Sequence, residues 1–139
     1  FIGGNGKEYQ KTIQELDFSS AKIEFIDHLE HPKMISYLQQ ANLFVLFSNY
    51  ENLPCVILES FSCGVPVIST NVGGVSEFFP EDFGFLIEQN NENQLLEKII
   101  DIYNNPISKS KKMHQFAKDN FSSDIICNSF SELYLKAIS

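Results

Sequence analysis

The chain has 139 residues and 43% hydrophobic residues, which is enough for the core of a single domain. Its formal net charge of −8 argues against nucleic acid or an anionic lipid surface as a partner, because both are bound by basic surfaces. The longest apolar run is far shorter than the roughly 18 residues of a membrane span. We therefore expect one globular domain in the cytoplasm, with no nucleic-acid partner and no membrane span.

Short apolar runs alternate with segments of helical periodicity along the whole chain. Strands are predicted at 1–3, 23–26, 43–47, 65–69 and 84–87. Helices are predicted at 7–16, 32–40, 55–63, 108–120 and 123–138, and a further helix, capped by Asn91 or Asn93, runs to Tyr103. Strands separated by helices at short spacing call for a parallel sheet with right-handed crossovers. The predicted fold class is therefore α/β, a Rossmann-like parallel sheet flanked by helices.

Apolar residues at helical spacing also predict which face of each helix is buried. In chain order these inward-facing residues are Ile13, Leu16, Met34, Ile35, Leu38, Leu95, Leu96, Ile99, Ile100, Tyr103, Met113, Phe116, Ile126, Phe130, Leu133 and Tyr134. Gly64, just before the strand at 65–69, is expected to end the preceding helix.

Two glutamates flank the turn between the predicted strand 43–47 and the helix that follows it. The strand is continuously apolar, as a parallel strand covered on both faces should be. Pro54 suits the first helical position, because its missing N–H would have no partner there in any case. Glu51 then lies in the loop, and Glu59 lies on the helix, about two turns further along.

A loop that leaves the carboxyl end of a strand and enters a helix is where open α/β sheets bind ligands. The free N–H groups and the positive end of the helix dipole favour phosphate at that point. A phosphorylated ligand would place Glu51 near its outer end, while Glu59 reaches hydroxyls such as those of a ribose. The pattern therefore favours a nucleotide sugar with one carboxylate at each end. Paired carboxylates also suit glycoside hydrolysis, but that reaction needs no phosphate-binding helix start.

Four segments carry a resemblance to a known family. They are Phe-Ser-Asn-Tyr-Glu-Asn-Leu-Pro at 47–54, Leu-Glu-Ser-Phe-Ser-Cys-Gly-Val-Pro-Val-Ile at 58–68, Phe-Ile-Gly-Gly-Asn-Gly at 1–6 and Val-Gly-Gly-Val-Ser-Glu at 72–77. Together they resemble the donor-binding domain of the retaining glycosyltransferases of family 4, which consist of two Rossmann-like domains. Asn52 and Asp27 stand where that family usually has Gly, and Asn tolerates positive φ better than most residues.

The resemblance implies a role for each matching residue. Glu51 would be the catalytic residue that hydrogen-bonds the transferred sugar, and Glu59 would bind the ribose hydroxyls. The backbone amides of Asn52, Leu53, Cys55 and Val56 would bind the sugar and the diphosphate. Gly4 and Gly6 would allow the phosphate or the backbone to come close. Asp27 and His28 would lie on the loop that receives the base. The implied reaction transfers a glycosyl unit from a nucleotide diphosphate sugar to an acceptor hydroxyl, with retention and without a metal or other cofactor.

The resemblance also implies that residues 1–139 are a fragment of one donor-binding domain. All ten basic residues are Lys, so the chain lacks the Arg fork that clamps phosphates. In the family the cations that bind the diphosphate precede the second strand, and that strand is where this chain starts. We expect the first strand and helix and the acceptor domain to be missing and the fragment to be inactive alone. The other domain would bind a saccharide or lipid-linked acceptor in polysaccharide synthesis, in the cytoplasm or at a membrane periphery.

Two other functions fit the same residues. One is a nucleotide-sugar-binding module without catalysis, and the other is a nucleotide-sugar epimerase of similar architecture. A metal site is not expected, because Cys55, Cys63 and Cys127 are odd in number and lack Cys-x-x-Cys spacing. These cysteines are predicted to be reduced and mostly buried thiols.

Overall fold

The computed structural model describes residues 1–2, 21–26, 28–108 and 110–138. The chain divides into two compact units, Phe1–Tyr37 and Leu38–Ser139. In the first unit Ile2 and Ile26 form a parallel bridge, and the Ile26 amide donates to the Phe1 carbonyl at 2.9 Å. The predicted strands 1–3 and 23–26 are represented by this single bridge. The predicted helix 7–16 lies outside the described residues, as do Ile13 and Leu16.

The other elements follow the predicted order. The helices are α1 (His31–Gln40), α2 (Cys55–Ser62), α3 (Val75–Phe78), α4 (Glu92–Asn104), α5 (Ser110–Phe121) and α6 (Ser123–Ile138), and the strands are β1 (Phe44–Leu46), β2 (Val67–Thr70) and β3 (Gly84–Ile87). Every predicted element among them is confirmed to within two residues at each end. Helix α3 is the exception, because a single helical turn is too short to show a periodicity in the sequence.

The three strands of the second unit form a parallel sheet in the order β1-β2-β3. Phe44 pairs with Val67, and Val67 pairs with Gly84. Consecutive parallel neighbours are connected through α2 and α3, which is the strand–helix–strand arrangement predicted from the sequence. The α/β fold class is confirmed.

Helices cover both faces of this sheet. Because successive strand residues point to opposite faces, Val67 and Ile68 enter different hydrophobic clusters. The buried members of the cluster around Val67, which joins α2 and α5 to the sheet, are Ile57, Phe61, Val67, Val75, Phe79, Phe83, Met113 and Ala117. On the opposite face Ile68 packs with Ile87 and with Ile102 of α4. The central strand β2 is therefore buried on both sides, as its mostly apolar sequence indicates. The prediction that the first strand is covered on both faces is wrong: Phe44 and Leu46 are half-buried, but Val45 is 37% exposed, because β1 is an edge strand of the described sheet.

Phe61 fixes α2 against the sheet. Its ring meets those of Phe79, Phe83 and Phe116 edge-on, with centroids 5.4, 5.2 and 6.3 Å away. Such edge-to-face pairs stabilise beyond the area they bury. Phe61 is fully buried, so it packs the helix that carries Glu59 firmly against the sheet.

Gly64 ends α2, as predicted. Its φ of +74° lies in the left-handed region that favours Gly. The Gly64 amide donates to the Phe61 carbonyl at 2.9 Å, and the Val65 amide donates to the Ser60 carbonyl at 3.0 Å. This pair of bonds is the Schellman arrangement, and it turns the chain directly into β2.

The buried face of α4 differs in part from the prediction. Ile102 is the buried residue of this helix, and Leu95 and Ile99 are half-buried against the same cluster. Leu96 and Tyr103, predicted to face inward, are 58% and 83% exposed, and Ile100 is also exposed. The helix carries two adjacent apolar stripes, and a periodicity cannot show which of them meets the sheet.

The predicted inward face of α6 is wrong. Ile126, Phe130, Leu133 and Tyr134 are all exposed, up to 74% for Tyr134, and no residue of this helix is buried. The apolar spacing identified a face, but nothing in the described part of the chain covers it. For α1 and α5 the prediction holds better, because Leu38 and Met113 are buried and Met34, Ile35 and Phe116 are half-buried. No helix within the described ranges is long and apolar enough to cross a membrane.

The start of α4 provides a test of the capping assignment. The Asn91 side-chain oxygen accepts from the Gln94 amide at 2.9 Å, so Asn91 and not Asn93 is the N-cap. We expect Asn91→Ala to lower the free energy of unfolding by about 1 kcal/mol. Asn93→Ala is the matched control and should leave it unchanged or slightly higher, because Ala is the better helix former. Equal losses in a urea titration of the two variants would contradict the assignment.

Candidate functional site

The loop of residues 47–54 leaves the carboxyl end of β1 and enters α2. The carboxyl end of β2 and the turn that follows it lie at the same edge, because β1 and β2 are parallel neighbours. Most of the residues predicted to form a site belong to this loop and to the first turns of α2. Residues that follow β2 and β3 in the chain, together with Thr70 at the end of β2, contact its backbone at Ser48, Asn49, Glu51 and Asn52.

Thr70 holds the first of these points. The Ser48 amide donates to the Thr70 hydroxyl at 3.1 Å, and the same hydroxyl donates to the Ser48 carbonyl at 2.6 Å. Thr70 is only 1% exposed and Ser48 is half-buried, so both bonds are partly shielded from water. At the second point, the exposed Gln89 side chain donates to the Asn49 carbonyl at 2.9 Å.

Gly73 and Gly74 lie directly against Glu51 and Asn52 of the loop. A Cβ atom on Gly73 would stand 1.8 Å from the Glu51 carbonyl oxygen, a distance no side chain tolerates. Gly73 also has a φ of +57°, which favours Gly independently. A Cβ atom on Gly74 would stand 3.2 Å from the Asn52 carbonyl oxygen. The backbone of Glu51 therefore packs directly against position 73, and this contact requires a residue without a Cβ atom.

Helix α2 begins one residue later than Pro54 suggests. Pro54 itself occupies the N-cap position, with φ −72° and ψ 99°, so its predicted place at the first helical position is wrong. Its carbonyl accepts from the Ile57 amide at 3.0 Å. No side chain of the described residues caps the helix. The amides of Cys55 and Val56 thus stand at an uncapped helix start, where the backbone dipoles concentrate roughly half a positive charge.

Glu51 and Glu59 are both half-buried. Glu59 lies one turn after Cys55 on α2, and side chains on a helix tilt toward its N-terminus. The pKa of the Cys63 thiol is raised, first by its partial burial and second by the negative charge of Glu59. Glu59 therefore affects the electrostatics of its own helix face. Asn52, Leu53 and Cys55 are exposed, and Val56 is half-buried.

Four of the predicted site residues belong neither to this loop nor to α2. Gly4, Gly6 and Asp27 lie outside the described residues, and His28 is exposed in the first unit. Their roles stay predictions. Within the described ranges no three His, Cys, Asp or Glu side chains are grouped as a metal site.

The cysteines are all free thiols, as predicted, but they are not mostly buried. Cys55 and Cys127 are exposed and Cys63 is partly exposed. The prediction of burial is wrong because Cys55 sits at the helix start and Cys127 on the uncovered helix α6.

An open cleft of about 410 Å³ lies at the other end of α2. Its lining includes Ser62, Cys63, Ser110 and His114, and it contains neither Glu51 nor Glu59. His114 lies there with its Nδ1 2.7 Å from the Ser62 carbonyl oxygen. Size alone therefore does not lead to the candidate loop, whose distinguishing features are backbone amides and carboxylates.

A parallel sheet between helices, with the loop of residues 47–54 at its carboxyl edge, defines a Rossmann-like α/β domain. The family model described as glycosyl transferases group 1 matches residues 1–120. The chain belongs to this family of glycosyltransferases.

Individual relatives agree with this membership. The chain is 33% identical over 104 residues to an uncharacterised glycosyltransferase of Methanocaldococcus jannaschii, a match that covers 73% of this chain and 30% of the relative. It is 31% identical over 117 residues to a GDP-mannose-dependent monoacylated alpha-(1-6)-phosphatidylinositol monomannoside mannosyltransferase of Corynebacterium glutamicum, covering 78% of this chain and 30% of that enzyme. Among solved structures, sucrose-phosphate synthase of Thermosynechococcus elongatus superimposes with a TM-score of 0.82 and 27% identity, covering 96% of this chain and 35% of that one. The chain thus spans about a third of the length of these proteins.

Sequence reasoning missed the residues that support the loop. Thr70 is the last residue of a strand and was not singled out, and Gly73 was noted only as part of a motif. A polar Ser-Thr pair closing an apolar strand is the signal that draws attention to Thr70. The contact of Gly73 with Glu51 joins residues 22 positions apart, and no local pattern reveals it.

Proposed function

We propose that this chain binds a nucleotide diphosphate sugar, and that the protein containing it transfers the glycosyl unit to an acceptor hydroxyl with retention at the anomeric carbon. The observation that carries the proposal is the uncapped start of α2, reached through a loop whose backbone is fixed at Ser48, Glu51 and Asn52. A fixed row of amides at a helix start is a ready-made anion site.

The diphosphate lies in this proposal against the amides of Asn52, Leu53, Cys55 and Val56. Pro54 has no amide hydrogen and serves instead to direct the chain into the helix. Glu51 accepts hydrogen bonds from hydroxyls of the transferred sugar, and Glu59 accepts them from the ribose. Both residues are half-buried, and a hydrogen bond is stronger in a partly buried environment than in water.

The main catalytic task is to stabilise the negative charge that grows on the departing diphosphate. Preorganised backbone amides do this without reorganising during the reaction. Within this chain we assign the stabilising charge to the start of α2, where no side chain caps the free amides. We propose a reaction that needs no metal.

The acceptor is proposed to be a saccharide or a lipid-linked saccharide. Support comes from the relatives, since the Corynebacterium enzyme is named for transfer to a mannosylated phosphatidylinositol, and another relative, from Salmonella typhi, is named a Vi polysaccharide biosynthesis protein. The chain spans only part of each, and we propose that other parts of such a protein bind the acceptor.

Donor binding is tested by a thermal-shift experiment on the full-length protein, with UDP and GDP as probes. We expect one of them to raise Tm, by about 2–8 °C at saturating concentration. Glu59→Ala should remove most of this shift, because the ribose loses its charged acceptor. Glu132→Ala, an exposed glutamate on α6, is the matched control and should retain it. A shift that survives Glu59→Ala would place ribose binding elsewhere.

Transfer itself is tested with a panel of labelled nucleotide sugars and saccharide acceptors. We expect a labelled saccharide product with the anomeric configuration of the donor, together with free nucleoside diphosphate. Binding without turnover would favour a non-catalytic module. An intact nucleotide sugar with one inverted hydroxyl would instead identify an epimerase.

A further inference from the structure

The hydroxyl of Thr70 makes two hydrogen bonds with a single residue of the candidate loop. It accepts from the Ser48 amide at 3.1 Å and donates to the Ser48 carbonyl at 2.6 Å. A hydroxyl can donate and accept at one atom in this way, whereas the isosteric Val side chain can do neither. Thr70 is 1% exposed, so the side of the two bonds that it forms is closed to water.

These bonds continue the sheet beyond its last backbone pair. The pairing of β1 with β2 ends with Leu46 opposite Ser69, and the loop begins immediately afterwards. The Thr70 side chain extends this pairing to Ser48. The chain is thereby held at a fixed point three residues before Glu51.

A second fixed point lies at Glu51 itself, whose carbonyl oxygen rests on Gly73. Thr70 and Gly73 belong to the end of β2 and the turn that follows it. One short segment therefore fixes the backbone at both ends of residues 48–51, and with it the direction in which the Glu51 side chain leaves the chain.

We propose that Thr70 is a positioning residue, which sets the place of Glu51 by fixing the Ser48 backbone and does not itself touch the substrate. The kinetic part of this inference rests on the proposed function, and the structural part does not. Misplacing a catalytic group by about 1 Å can cost about 10²-fold in rate. We therefore expect loss of the Thr70–Ser48 hydrogen bonds at the start of the loop to lower kcat substantially.

The test compares three variants of the full-length protein. Thr70→Val keeps the shape of the side chain and removes both bonds, whereas Thr70→Ser keeps the hydroxyl. Ser69→Ala is the matched control, since Ser69 is a fully buried hydroxyl of the same strand whose hydrogen bond goes to the Thr70 carbonyl at 3.2 Å and not to the loop.

Hydrogen exchange gives a readout that does not depend on any activity. We expect the Ser48 amide to exchange at least about tenfold faster in Thr70→Val than in the wild type, because its acceptor is gone. In Thr70→Ser and Ser69→Ala it should exchange at the wild-type rate. Wild-type exchange of Ser48 in Thr70→Val would overturn the proposed anchor, whatever the protein catalyses.

Kinetics then tests the link to Glu51. With a nucleotide sugar that the wild type uses, Thr70→Val should lower kcat by at least about tenfold with a smaller change in KM, and Thr70→Ser should recover most of the loss. A fall in kcat of the same size in Ser69→Ala would show a general effect of core destabilisation and overturn the positioning role. If the wild type transfers no sugar at all, the proposed function fails, and the exchange result alone decides whether Thr70 anchors the loop.

Discussion

Replacing Glu51 by Gln should lower kcat/KM for glycosyl transfer by about 10- to 10²-fold, the equivalent of one charged hydrogen bond of about 1.5–3 kcal/mol. Gln has the size of Glu and keeps one acceptor oxygen, but it carries no charge. The half-buried Glu51 should therefore lose interaction with the sugar hydroxyls while its surroundings stay in place. Steady-state kinetics of the full-length protein with its preferred donor measures the effect.

Glu81→Gln is the matched control for Glu51→Gln. Glu81 is an exposed glutamate in the turn after Pro80, and the same loss of charge there should leave kcat/KM within about twofold of the wild type, since exposed charges contribute little. Full activity of Glu51→Gln would remove this carboxylate from the catalytic site.

Replacing Gly73 by Ala should displace the backbone of the loop, which Glu51→Gln leaves in place. Its new Cβ would stand 1.8 Å from the Glu51 carbonyl oxygen, so either the loop or the turn must move. The φ of +57° adds about 1–2 kcal/mol of strain for any residue with a Cβ. We expect a loss of about 10²-fold in kcat, together with a lower Tm in a thermal denaturation experiment.

The neighbouring glycine offers a matched control for Gly73→Ala. A Cβ on Gly74 would stand 3.2 Å from the Asn52 carbonyl oxygen, and its φ of −87° is open to Ala. A displacement of a few tenths of an ångström suffices there, so Gly74→Ala should keep most of the activity and stability. If Gly73→Ala and Gly74→Ala have the same kcat and the same Tm, the contact of Glu51 with Gly73 has no functional role.

The sequence predicted the elements of the second unit because their signals are local. β3 and α6 begin and end at the predicted residues, and Gly64 ends α2 through a conformation that its own lack of a side chain allows. What the sequence did not reveal depends on partners distant in the chain. The inward face predicted for α6 is exposed, since an apolar stripe does not show whether another element covers it.

In the candidate site, too, the features with local sequence signals were predicted and those that depend on distant contacts were not. The loop that carries Glu51 and the helix that carries Glu59 follow from a strand, a proline and a helical run, and the strand and the helix lie within two residues of their predicted bounds. Pro54 is displaced by one position, which is within the usual uncertainty of a helix start. Thr70 and Gly73 were not predicted as supports of the loop, because their contacts with Ser48 and Glu51 exist only after β1 and β2 have paired.

The most direct test of the proposed donor site is a crystal structure of the full-length protein with UDP or GDP, whichever raises its Tm more. We predict diphosphate oxygens within about 2.7–3.2 Å of amides between Asn52 and Val56, with the ribose hydroxyls on Glu59. A nucleotide bound instead in the cleft beside Ser62 and His114, with the loop of Glu51 unoccupied, would contradict the account.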